Sequence, residues 1–126
     1  MKTHFLKYTI LVFITFFACT KEDISPAADE QKLESLSKEI EAFTKNKSCA
    51  GGNDCKVMAM GARPCGGPSR YIVYALSKTD EKQLMEKVNA YTSLENELNI
   101  RYNRVSTCIA ILPPTVDCTD GVCTVK

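Results

Sequence analysis

Seven cysteines, at positions 19, 49, 55, 65, 108, 118 and 123, carry most of the reactive capacity of this 126-residue chain. As thiolates they could attack a carbonyl or hold a metal, whereas paired with one another they could only brace a fold. A catalytic cysteine needs a base, and the single histidine, His4, lies at the very start. Zinc knuckles space their ligands by two to four residues, a pattern met only by Cys118-x4-Cys123, and no Cys-x-x-Cys is present for thiol exchange. Carboxylates offer a second chemistry, because Asp54, Asp117 and Asp120 sit in turn-forming stretches where two acids could meet across a glycosidic bond. Acids in turns commonly serve the turn itself, and the chain has no tryptophan to stack against a sugar. Calcium at Asn53-Asp54 or Asp117–Asp120 matches no EF-hand loop. A third group, Arg63, Arg70 and Tyr71, flanks a turn rich in proline and glycine, and Arg and Tyr are side chains that anchor interfaces.

The N-terminus decides between these chemistries. Lys2 and Lys7 followed by an apolar run from Tyr8 to Ala18 read as a secretory signal over residues 1–18. The run is shorter than the roughly 20 apolar residues that span a bilayer, and Lys21, Glu22 and Asp23 close it. Phe16-Phe17-Ala18-Cys19 resembles a degenerate lipobox of bacterial lipoproteins, with Ala18 as the small residue before the cysteine but Phe16 and Phe17 where the family prefers Leu and a small residue. Thr20-Lys21-Glu22-Asp23 resembles the export signal of Bacteroidota-type lipoproteins. These resemblances imply a palmitate-type lipid on Cys19, a tether over 19–28, and an outer-membrane location, exposed on the cell surface.

Export also settles the thiols. With Cys19 assigned to lipid, six cysteines remain, and an even set in an oxidising compartment reads as three disulfides. Locality suggests Cys49–Cys55 and Cys118–Cys123, which leaves Cys65–Cys108. Loss of the signal removes His4 together with two of the 16 basic side chains, so the mature chain is close to neutral beside its 15 acids. It has no basic excess for nucleic-acid phosphates. No metal or cofactor is expected.

The elements that must position these residues follow from periodicity. Leu33, Leu36, Ile40 and Phe43 recur at helical spacing from Asp29 to about Asn46, with Glu34 and Lys38 as an outward ion pair. Lys56–Met60 and Arg70–Leu76 read as two strands of a hairpin around the Arg63–Ser69 turn. A long helix over about 79–103, capped by Ser77 or Thr79, carries Leu84, Val88, Tyr91, Leu94, Leu98 and Tyr102 as its buried stripe. Val105–Leu112 reads as a third strand stopped by Pro113-Pro114, and Thr115–Val125 as a final hairpin turning at Asp120-Gly121. The order predicts one α+β domain over 29–126, with two helices, one long, packed on a short antiparallel sheet.

The segment Gly61–Tyr74, with its Cys65-Gly66-Gly67-Pro68 turn before an aromatic strand, and the Gly121-Val122-Cys123 end resemble a group of exported cysteine-rich bacterial proteins. That resemblance implies a shared fold and brings no activity with it. The residues themselves point away from an enzyme and towards a binding module, able to act as an inhibitor, that meets a protein or envelope partner through the 61–71 loop and Arg63, Arg70 and Tyr71. A structural envelope lipoprotein without a ligand is the alternative, and a carboxylate-based glycoside hydrolase a distant one.

Overall fold

A computed structural model describes residues 25–126, so the lipidation reading at Cys19 lies outside the described residues. The chain forms helix α1 (Pro26–Phe43), a short 3-10 turn (Gly52–Asp54), strands β1 (Cys55–Met60) and β2 (Arg70–Ala75), helix α2 (Glu81–Arg101), and strands β3 (Val116–Thr119) and β4 (Val122–Val125). No described helix is long and apolar enough to cross a membrane.

Helix α1 starts three residues before the expected boundary because Ser25-Pro26 is a start signal. The Ser25 hydroxyl accepts from the Ala28 amide at 3.2 Å, and proline at the first helical position gives up an N–H that has no partner there. The last three residues of the expected tether are therefore helix. Helix α2 is capped by Asp80, which accepts from the Gln83 amide at 3.0 Å, and by neither Ser77 nor Thr79. Its end is a Schellman turn in which Asn103 takes a left-handed φ of 46° while the amides of Asn103 and Arg104 reach back to Ile100 and Asn99.

Period-2 alternation divides the β1–β2 hairpin between two clusters. Met58, Met60, Ile72 and Tyr74 face the helices, where they pack with Leu33, Ile40, Leu84, Val88, Tyr91 and Leu98. Cys55, Val73 and Ala75 face the opposite way, onto Cys123, Val116 and Cys118 of the β3–β4 hairpin. The expected α+β domain with two helices, one long, is present, and its antiparallel strands form two two-stranded sheets, with helices on one side of β1–β2 and β3–β4 on the other. Among the described residues Val105–Leu112, expected as a third strand, pairs with no strand.

Three disulfides are present among the described residues, and two of the expected pairings are wrong. Cys65–Cys108 forms as expected, but Cys49 bonds Cys118 and Cys55 bonds Cys123. Cys118 does lie opposite Cys123 across β3–β4, with the turn at Asp120-Gly121. The reason they do not pair is a neighbour. Residues 47–49 run along the free edge of β4, with the Cys49 amide on Gly121 O and the Cys123 amide on Lys47 O, both at 2.9 Å. That edge brings Cys49 to Cys118, while the first residue of β1 meets Cys123. Closing sequence separations of 69 and 68 stabilises by about 4 kcal/mol for the first bridge, against about 2 for a hairpin-sized loop in the chain-entropy model.

Candidate functional site

The residues singled out from the sequence divide between two faces of β2, as adjacent positions on a strand must. Arg70 points to the helices. Its guanidinium donates to Ser37 Oγ, lies 3.8 Å from the Glu41 carboxylate, and sits 5.3 Å from the centroid of the Tyr91 ring. It joins β2 to α1 and α2 while its side chain stays 41 % exposed. Tyr71 points the other way, and its hydroxyl donates to the Ile111 carbonyl at 3.3 Å. Arg63 completes the pair by donating from Nη1 to Ile109 O and from Nη2 to Thr107 O, with Thr107 Oγ1 at 3.1 Å.

Both side chains brace one segment. From Arg104 to Thr115 the chain runs without helix, strand, turn or bend, as an extended arm. The arm is β-like in composition, but among the described residues it pairs with neither hairpin. It is held at its start by an ion pair from Arg104 to Glu30 and at its end by the Lys126 amide on Thr115 O at 2.9 Å. At its middle the Cys65–Cys108 bridge and the Cys65 amide on Ser106 Oγ, at 3.3 Å, tie it to the Cys65–Pro68 turn. A cleft of about 280 Å³ separates the arm from that turn.

The turn is in turn fixed by a polar row on α2. Thr92 Oγ1 accepts from the Gly61 amide at 2.9 Å, and Glu95 Oε2 accepts from the Ala62 amide and from Ser69 Oγ, both at 2.7 Å. One turn further on, Asn99, 7 % exposed, donates to Ala62 O at 2.6 Å. Gly61 is required where these groups converge, because its φ is 82° and a Cβ there would lie 1.8 Å from Ser69 Oγ and 2.2 Å from Glu95 Oε2. Sequence reasoning followed the apolar stripe of α2 and missed Thr92, Glu95 and Asn99. Their i, i+3, i+7 spacing on one face was the available signal.

The arm shows the solvent an apolar surface. Val105 is 93 % exposed, Ile109 70 % and Leu112 81 %, more than Val122 and Val125 of β4 at 45 % and 57 %. Scattered exposed aliphatics are ordinary, but these lie within eight residues on one restrained segment.

Two of the three acids weighed as catalytic groups are engaged elsewhere. Asp54 accepts from the Ser77 amide and hydroxyl at 2.7 and 2.6 Å, and these bonds hold its carboxyl below the usual range. Asp117 is likewise lowered, by Lys126 at 2.9 Å and by the Cys118 amide. Asp120 takes a left-handed φ of 52° in the hairpin turn. The sulfurs of Cys49, Cys55 and Cys123 lie within 4.8 Å of one another, close enough for a metal, but each is consumed in a disulfide. No family model, no curated protein and no solved structure matches the chain.

Proposed function

We propose that the chain is an exported, lipid-anchored binding module, without catalytic activity of its own, whose contact surface is the 104–115 arm carried on the 61–71 loop. One observation carries the reading. Apolar side chains are exposed on a segment that is nonetheless held at its carbonyls by Arg63 and Tyr71 and at Cys108 by a disulfide. An unsupported loop would lose conformational freedom on binding, roughly 0.5–1.5 kcal/mol for each side chain immobilised, and bracing meets part of that beforehand. Arg63 and Tyr71 thus act from behind the surface, and Arg70 joins β2 to the two helices.

Three disulfides support the export half of the proposal, since such bridges persist in oxidising compartments. A lipid on Cys19 would hold the arm near the membrane, and more than one acyl chain would be needed for stable anchoring at ~0.8 kcal/mol per buried methylene. The test is cross-linking in intact cells from a photoreactive residue at position 109. A discrete adduct that is lost with Arg63→Ala is expected. An absence of adducts from positions 105, 109 and 112 alike would leave only an envelope protein without a ligand.

A further inference from the structure

The hydrogen bonding of the arm alternates along its length. The carbonyls of Thr107, Ile109 and Ile111 accept from Arg63 and Tyr71, while no amide from Val105 to Leu112 donates within the described residues. In extended backbone successive residues direct their amide and carbonyl to opposite edges. The domain therefore takes one edge and leaves the other, that of Ser106, Cys108, Ala110 and Leu112, free. A free edge is read by partners that add a strand, and the clefts of endopeptidases read their substrates in the same way.

Three features favour the endopeptidase. The carbonyls on both sides of Ala110 are tethered, Ile109 O by Arg63 and Ile111 O by Tyr71. Cys108 is fixed to Cys65 upstream, and Pro113-Pro114 restricts the backbone downstream. A cut between Ala110 and Ile111 would also fail to separate the chain. The 111–126 piece holds Cys118 and Cys123, which are bonded to Cys49 and Cys55.

Resting on the binding-module reading, we infer that the arm is a substrate-mimicking inhibitor of an endopeptidase, with Ala110 entering the primary specificity pocket and Ala110–Ile111 as the reactive bond. The attacked carbonyl must lie on the free edge, where oxyanion donors can reach it. Cys108 is excluded because its sulfur is in a bridge, and Ser106 because its hydroxyl accepts from the Cys65 amide. Leu112 is excluded because the bond after it is to proline. Ala110 remains, and its methyl fits a pocket for small aliphatic residues and gives no anchor to one built for Arg or a large aromatic.

The balance of the reaction explains inhibition. The enzyme's nucleophile adds to the Ala110 carbonyl, the Ala110–Ile111 bond breaks, and the pair of electrons and a proton go to the Ile111 nitrogen, giving an acyl-enzyme and an amine. With an ordinary substrate the amine leaves, and one water then hydrolyses the ester or thioester to an Ala110 carboxylate. Here Tyr71 and the two bridges keep the amine opposite the acyl carbon. Its return, which restores the peptide bond and frees the nucleophile, is effectively intramolecular and outruns water.

The test titrates the mature oxidised protein against serine endopeptidases with a small aliphatic, a deep apolar and an acidic specificity pocket. Inhibition of the small-pocket enzyme is expected, and Ala110→Lys should move inhibition to the acidic-pocket enzyme by roughly 100-fold. Arg63→Ala should weaken inhibition about 30-fold and speed cleavage, seen as a gain of one water in mass with fragments separating only on reduction. The inference is overturned by a panel without inhibition, by Ala110→Lys leaving the preference unchanged, or by a dimer in solution whose arm amides are protected. Loss of inhibition with the position-109 cross-link intact would remove the inhibitor and keep the binding module.

Discussion

Replacing Glu95 by Ala tests whether α2 really carries the loop that carries the arm. The carboxylate accepts from the Ala62 amide and the Ser69 hydroxyl at 2.7 Å each, in a half-buried position. A hydrogen bond to a charged group is worth ~1.5–3 kcal/mol net, and partial access of water to the freed groups argues for the lower end, so the two together should be worth about 2–3 kcal/mol. For a domain of this size each kcal/mol moves Tm by about 4–8 °C, giving a fall on the order of 10–20 °C. Glu95→Gln keeps an acceptor but loses the charge and turns an amide towards a donor, so about half that fall is expected. The control is Glu97→Ala, two residues along the same helix, whose carboxylate pairs only with Arg101 at the surface. It should shift stability by no more than about 0.5 kcal/mol. Thermal unfolding with disulfides intact, followed by circular dichroism, gives the comparison. A Glu95→Ala variant as stable as Glu97→Ala would refute the support argument.

Other expectations follow from the same geometry. Gly61→Ala should destabilise more than a typical surface change, by about 2 kcal/mol or more in chemical denaturation, because it meets both a left-handed φ and the Ser69 and Glu95 oxygens. Graded reduction with alkylation and mass analysis should open Cys65–Cys108 first, since both residues are exposed, and Cys55–Cys123, buried at 6 % and 3 %, last. Stability should be level from neutral pH to about 5 and fall as pH drops through and below the ordinary carboxylate value of 3.8. The sign follows from carboxyls held low in the fold: Asp29 by the Tyr102 hydroxyl and Arg101, Asp54 by Ser77, Asp80 by the Gln83 amide. At the alkaline end Tyr74 is pushed up, chiefly by burial and then by Glu81, so its contribution is lost as pH rises above its ordinary value of 10.0.

How far the sequence led depended on whether the signal was local. Both helices and both hairpins were legible, because apolar spacing and the Asp120-Gly121 turn are properties of neighbouring residues. The Cys65–Cys108 bridge was reached by elimination from two pairings that do not form, so its agreement with the structure owes nothing to that reasoning. The other two pairings depend on residues 47–49 lying along β4, a contact that nothing within either segment announces. Val105–Leu112 shows the limit most clearly: its composition suits a strand, but a strand needs a partner, and among the described residues β1–β2 and β3–β4 each pair with another strand only within their own hairpin. Arg63, Arg70 and Tyr71 were grouped by proximity in sequence, although 70 and 71 on one strand cannot face the same way.

The central claim is that the arm is ordered without a backbone partner. Backbone 15N relaxation on the oxidised protein measures this directly at Thr107–Ile111. The account predicts order parameters near the rigid value of about 0.85 there, falling below about 0.6 with Arg63→Ala. Order parameters already below about 0.6 in the unaltered protein would contradict it, because a mobile arm cannot be a surface prepared for binding.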